Sequence, residues 1–162
     1  MDQRIDYSKV DPEGINGLLQ LEKHVHDSGL DPLLLELVRL RASQINGCAY
    51  CLDMHTKNAR SLGESEQRLY GISAWREAPY YSDRERAALA WSEAVTMVGQ
   101  DHVPEEVYQE VRKQFTEKEL VDLTLGIIAI NGWNRLAISF RTLPGSYLPD
   151  HPTTKKNSLR RK

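Results

Sequence analysis

Apolar residues recur along this chain at helical spacing between capping signals, and no stretch keeps the alternation of a half-buried strand. Asp11-Pro12 places a capping side chain and a proline at a helix start, Ile15, Leu18, Leu19 and Val25 form the stripe behind it, and Ser28-Gly29 closes the segment. Asp31-Pro32 repeats the signal for a second helix with Leu34, Leu35, Leu37, Val38 and Leu40, ending near Asn46-Gly47. A third helix starts at the Gly47-Cys48 corner and stops at Ser61-Leu62-Gly63. Ser65 starts a short helix that fails before Pro79.

Ser82-Asp83-Arg84-Glu85 and Thr116-Glu117-Lys118-Glu119 both read as capping boxes. Behind the first, Ala87, Ala88, Trp91, Ala94, Val95 and Val98 keep helical spacing. Pro104 opens an amphipathic helix carrying Val107, Tyr108, Val111 and Phe115. Behind the second box, Glu117 to about Phe140 is apolar on most faces from Leu120 to Trp133, which predicts a central buried helix. The pattern predicts an all-α, single-domain bundle of about six to seven helices over residues 1–143. Residues 144–162, with Pro144, Gly145, Pro149 and Pro152 before Lys155, Lys156, Arg160, Arg161 and Lys162, read as a basic arm or a disordered tail. A faint echo links Glu36-Leu37-Val38-Arg39-Leu40 and Ile45-Asn46-Gly47 to Glu119-Leu120-Val121-Asp122-Leu123 and Ile130-Asn131-Gly132, through a degenerate duplication or chance similarity among Leu/Val-rich helices.

A length of 162 residues suffices to bury one core without disulfide staples. With 40% hydrophobic and 27% charged residues and a net charge of −2, the composition is that of a globular protein, with no general case for nucleic acid or an anionic membrane. Asp2, Arg4, Asp6 and Lys9 interrupt the first ten residues where a secretory signal needs an apolar stretch, so a cytoplasmic location is expected. The longest apolar run, Leu123 to Ile130, falls well short of the roughly 20 residues that span a bilayer. In a reducing compartment, two cysteines spaced C-x-x-C point to catalysis or metal binding rather than a permanent bridge.

Those cysteines are Cys48 and Cys51, followed four residues later by His55. On one helix face the thiols can form a disulfide and the imidazole can take up a thiol proton. The positive helix start favours Cys48 as the more acidic thiol, whereas the imidazole one turn away favours Cys51. Glu36 on the preceding helix reaches the thiols only if the two helices pack antiparallel across the Asn46-Gly47 corner. Zinc is an alternative that needs a fourth ligand from Glu36 or a neighbouring subunit. A second alternative is that both cysteines simply pack. His24, His26, His102 and His151 read as solvated residues, and Trp75, Trp91 and Trp133 as core or subunit contacts, or as pocket walls.

Glu36, eleven intervening residues, then Cys48-x-x-Cys51-x-x-x-His55 resembles the active-site pattern of the alkylhydroperoxidase D-like group of the carboxymuconolactone decarboxylase superfamily, with every spacing kept. Leu37 to Arg41 and Gln44 to Cys48 are also similar, and the likeness covers about residues 15–143. The resemblance implies an all-helical subunit, assembled as a trimer or hexamer, that reduces hydroperoxides without a cofactor. By that analogy Cys51 attacks the peroxide, Cys48 resolves the sulfenic acid, His55 and Glu36 relay the proton, and an external lipoyl-type or thioredoxin-like dithiol reduces the disulfide. Tyr50 stands where the best-studied pattern has a histidine, and a phenol with a pKa of about 10 is a poor base at neutral pH. The resemblance leaves two alternatives, a carboxymuconolactone decarboxylase-type lyase, whose members lack the cysteine pair, and a redox-responsive binding module. Trp75, Tyr80 and Tyr81 would need cover, which fits a homo-oligomer.

Overall fold

The structure, a computed structural model, describes residues 2–149. In chain order its helices are α1 (Tyr7–Val10), α2 (Pro12–His26), α3 (Pro32–Asn46), α4 (Ala49–Ser61), α5 (Glu66–Gly71), α6 (Asp83–Thr96), α7 (Val98–Asp101), α8 (Glu105–Gln114) and α9 (Glu117–Phe140). A 3₁₀ turn, Ile72–Ala74, follows α5, and no strand occurs among the described residues. The fold is all-α, as the periodicity predicts. The basic end from Lys155 to Lys162, and His151, lie outside the described residues.

The capping signals act where the sequence places them. Asp11 accepts from Gly14 N at 3.0 Å and Asp31 from Leu33 N at 2.8 Å, each ahead of a first-turn proline. Both capping boxes are complete: Glu85 accepts from Ser82 N at 2.7 Å and Glu119 from Thr116 N at 2.8 Å. Gly47, at φ 71°, closes α3 in the left-handed conformation and turns the chain straight into α4.

Two one-turn helices were not legible in the pattern. The first, α1, lacks a side-chain cap; tertiary contacts hold it, with Arg4 N donating to Phe140 O at 2.9 Å and the Tyr7 ring 5.8 Å from that of Phe140. The second, α7, exists because α6 stops at Thr96: Met97, at φ −99° and ψ 24°, breaks the helix, leaving Val98 half exposed rather than on the core stripe.

Helix α3 lies at the centre, packed against α4, α6 and α9. Leu34, Leu35 and Val38 meet Leu123 and Ile127 of α9 in one core region, and Leu37 and Leu40 meet Ala59, Leu69, Trp75, Tyr81 and Leu89 in another. Trp75 and Tyr81 are thus buried within the subunit, with Trp75 Nε1 donating to Glu93 at 2.9 Å and the Tyr81 hydroxyl to Arg68 O at 2.5 Å. Only Tyr80 of that trio stays exposed. Helix α9 is buried on its inner face alone; Val121 and Ile128, two turns apart, are 58% and 50% exposed. The echoed segments face each other, and Asn46 Nδ2 donates to Asn131 Oδ1 at 3.0 Å. No helix among the described residues is long and apolar enough to cross a membrane.

Candidate active site

The turn at Gly47 makes Cys48 the N-cap of α4, its sulphur accepting from Cys51 N at 3.4 Å. One turn further, Cys51 packs with Cys48, Ala42 of α3 and Ile130 and Ala137 of α9. Both cysteines are free thiols and 1% exposed. Because α4 folds back along α3, His55 reaches Glu36, and its Nδ1 sits 2.7 Å from Glu36 Oε2. The other carboxylate oxygen accepts from Arg39 Nη1 at 2.9 Å, and Arg39 Nη2 donates to Glu22 at 2.6 Å.

This chain of contacts orients the imidazole and holds the Glu36 carboxylate. Burial pushes the Glu36 carboxyl up, but its hydrogen bond to His55 and the charges of His55 and Arg39 outweigh that and hold it below the usual carboxylate value. A carboxylate at Nδ1 directs the Nδ1–H toward it, so that in the neutral imidazole the lone pair lies on Nε2. His55 Nε2 is buried with no hydrogen-bond partner, as is Arg39 Nε. His55 and Cys51 line the same cavity, and a neutral imidazole nitrogen without a hydrogen-bond partner can accept a proton.

The thiols divide the negative charge unequally. Cys48 is lowered to about 7, first because the Cys51 thiol donates to it, with further help from the Cys51 and Tyr50 N–H groups and the Asn134 amide, against the penalty of burial. Cys51 is pushed up by that donation to Cys48, then by burial and by the neighbouring thiolate. The first proton therefore leaves the pair easily and the second with difficulty.

Two hollows meet at the pair. A cavity of about 370 Å³ is lined by Cys51, His55, Glu36, Tyr50, Tyr7 and Trp133, among others. A second, of about 340 Å³, reaches Cys48 between the start of α4 and the end of α9. Three of the four residues expected from sequence thus share one cavity, and Cys48 lines the other. Ionisation favours Cys48, as the helix start predicts, while access to the imidazole side favours Cys51. Tyr50 borders both cavities, and burial raises its phenol further above the ordinary value, so it is no base at neutral pH.

The remaining candidates lie elsewhere. Of the tryptophans, Trp133 alone lines the first cavity, whereas Trp75 and Trp91 belong to the core. His24 is exposed, as expected, and its Nε2 lies 3.2 Å from Asp122 Oδ1. His26 pairs with Asp27 at 3.0 Å and His102 is exposed at a positive φ. Among the described residues no three His, Cys, Asp or Glu side chains form a metal-binding group.

Asn134, which the sequence reading passed over, is fully buried behind the pair. Its Oδ1 accepts from Asn46 Nδ2 at 2.8 Å and its Nδ2 donates to Ser43 Oγ at 3.1 Å, which fixes the amide with its NH₂ group toward the sulphurs. A signal existed: Asn134 continues the buried α9 stripe of Leu123, Ile127 and Ile130, where a polar side chain needs a polar reason. Lys57 Nζ donates to Tyr147 O at 3.0 Å and Gly145 N to Asp53 at 3.0 Å, so the first residues of the expected arm lie along the solvent side of α4.

Residues 12–94 match the model of the carboxymuconolactone decarboxylase family. The uncharacterized protein YdfG of Bacillus subtilis (strain 168) is 45% identical over 139 residues, covering 86% of this chain and 95% of that protein. A crystal structure of a protein of unknown function from Agrobacterium tumefaciens, proposed to be the antioxidant defence protein AhpD, superposes with a TM-score of 0.87 at 42% identity, over 90% of this chain and all of that one. The debrominase Bmp8 shares the fold alone, with a TM-score of 0.76 at 18% identity over 85% of this chain and 74% of its own.

Proposed function

Because this chain belongs to the carboxymuconolactone decarboxylase family, within its alkylhydroperoxidase D-like group, we propose that it is a thiol-dependent peroxidase that reduces alkyl hydroperoxides by cycling Cys48 and Cys51 between dithiol and disulfide. The observation that carries this reading is the cavity that Cys51 and His55 share, with His55 Nδ1 tied to Glu36 and Nε2 without a hydrogen-bond partner.

Peroxide enters that cavity, where Leu19, Tyr50, Met54 and Trp133 offer an apolar wall to an organic group. His55 Nε2 takes the Cys51 proton. The Cys51 thiolate attacks one peroxide oxygen, the O–O bond breaks, and the alkoxide leaves as an alcohol with the proton returned by His55. Cys51 is now a sulfenic acid. Cys48, already the more acidic sulphur, attacks it; water leaves and the Cys48–Cys51 disulfide forms. An external dithiol restores the pair, oxidised in turn to its own disulfide.

Glu36 keeps the imidazole oriented and stabilises its cationic form, while Arg39 and Glu22 hold the carboxylate in place. The relay works without a contribution from Tyr50. The test is a thiol count before and after one equivalent of an organic hydroperoxide, with mass spectrometry of Cys48→Ser. Loss of two thiols in the parent protein and a sulfenic acid trapped on Cys51 in the variant are expected. An adduct found only on Cys48, in Cys51→Ser, reverses the two roles, and steady turnover with a dithiol separates an enzyme from a redox sensor.

A further inference from the structure

The cavity that Cys48 lines has no part in peroxide chemistry as described. Its walls are Gly47, Ala49 and Tyr50 at the start of α4 and Ile138, Arg141 and Leu143 beyond the other face. It holds no acid or base comparable to His55 and Glu36. We propose that this second cavity is the entry site of the reductant, a slender dithiol whose thiolate attacks Cys48 Sγ, so that oxidant and reductant use separate doors of one disulfide. This rests on the peroxidase reading above.

Three features support it. Access decides which sulphur is attacked, because in disulfide exchange the nucleophile must approach the sulphur it bonds. Only Cys48 of the pair lines this cavity, and only Cys51 lines the other. Charge is complementary: Arg141 is among the lining residues, and the positive start of the 13-residue α4 borders the hollow, both favourable to an incoming thiolate. Shape restricts the class of reductant. Cys48 is 1% exposed and lines a hollow of about 340 Å³, space for the tip of a narrow chain, whereas the flat surface of a folded redox protein stops at the rim. Ile138 and Leu143, close to half exposed, offer that chain an apolar wall.

The exchange balances. A bond forms between the reductant's first sulphur and Cys48 Sγ, the Cys48–Cys51 bond breaks, and Cys51 leaves with the electron pair and takes a proton through His55. The reductant's second thiol attacks its own first sulphur in the mixed disulfide and expels Cys48 as a thiolate. The dithiol has lost two electrons and two protons and departs as a cyclic disulfide. Cys48 is a good leaving group because its pKa lies near 7.

The experiment fills each cavity in turn. Leu143→Trp and Ile138→Trp narrow the Cys48 side, and Leu19→Trp narrows the Cys51 side; all three residues are about half exposed, so each variant retains the core. Reduction is followed on protein oxidised with diamide, using dithiothreitol and alkylation with mass readout. Oxidation is followed separately with cumene hydroperoxide on the reduced protein. The expected result is that both Cys48-side variants lower the ratio of reduction to oxidation rate about tenfold or more, and that Leu19→Trp raises it. Equal slowing of both half-reactions, an unchanged ratio, or the opposite pattern overturns the two-door arrangement. Because diamide forms the disulfide without peroxide, a failure of the peroxidase reading shows instead as absent oxidation by cumene hydroperoxide while the reduction data still stand.

Discussion

His55 Nδ1 lies 2.7 Å from Glu36 Oε2 although the two residues belong to different helices, and this contact ties the α4 row of Cys48, Cys51 and His55 to α3. It ties one imidazole nitrogen to a carboxylate and leaves the other buried without a hydrogen-bond partner, in a residue that lines the same cavity as Cys51. An imidazole that merely packed would gain nothing from a buried, unpartnered nitrogen, whose desolvation is costly.

If His55 is the base, His55→Gln slows peroxide oxidation of the thiols at neutral pH by about 10² to 10⁴, the usual worth of general base catalysis. Much of the loss returns at alkaline pH, where the thiol ionises unaided. Glu36→Gln shows the same trend with a smaller defect, since it acts through His55. Stopped-flow pH profiles of the parent and both variants decide it; superimposable profiles for His55→Gln leave the helix start as the only activator.

One thiol of the pair ionises near neutrality and the other does not. Thiolate absorbance near 240 nm should rise in a single step around pH 7, because a lowered thiol pKa puts the reactive thiolate at lower pH, and reactivity toward iodoacetamide should fall as the pH drops below that step. Cys51→Ala removes the donor that holds the Cys48 thiolate, so the step moves up toward the free-cysteine value of about 8.5. A step that stays at 7 in this variant assigns the acidity to the helix start alone.

Asn134→Ala leaves the Ser43 hydroxyl without its donor and Asn46 with only its Asn131 bond, both in the α3–α9 contact. Urea unfolding should show a loss of about 1–3 kcal/mol. The same variant should raise the Cys48 pKa by removing an N–H donor, a change that a purely structural amide would not produce.

Val121 and Ile128 leave an apolar strip on the outer face of α9, and we expect it to be covered in a homo-oligomer, a trimer or hexamer by analogy with the family. Light scattering should give a multiple of the 18.5 kDa chain at micromolar concentration, and Val121→Lys with Ile128→Lys should lower that mass. A mass of one chain for the parent protein refutes the assembly.

Much of this protein is local and therefore legible. A helix start needs only an Asp, Ser or Thr and its neighbours, so Asp11, Asp31, Ser82 and Thr116 mark four helices without reference to the rest of the chain. The spacing of Cys48, Cys51 and His55 places them on one face of one helix by geometry alone. Glu36 depends on the turn at Gly47, whose left-handed backbone the sequence could signal, but whether the carboxylate met a thiol or the imidazole was settled by how α3 and α4 pack.

What the sequence left open is what depends on distant segments. Helix α1 has no cap and exists through contacts with the far end of α9; Trp75 and Tyr81 look like interface residues until α3 and α6 close over them. The cysteine roles pull apart in the same way. A helix dipole and an imidazole at four residues are sequence facts, but which sulphur opens on which cavity follows from the wall that α9 builds behind them with Ile130, Asn134 and Ala137. Local chemistry is written in spacing because a helix fixes neighbours by hydrogen bonds a few residues apart, whereas access and burial arise only when elements distant in the chain pack together.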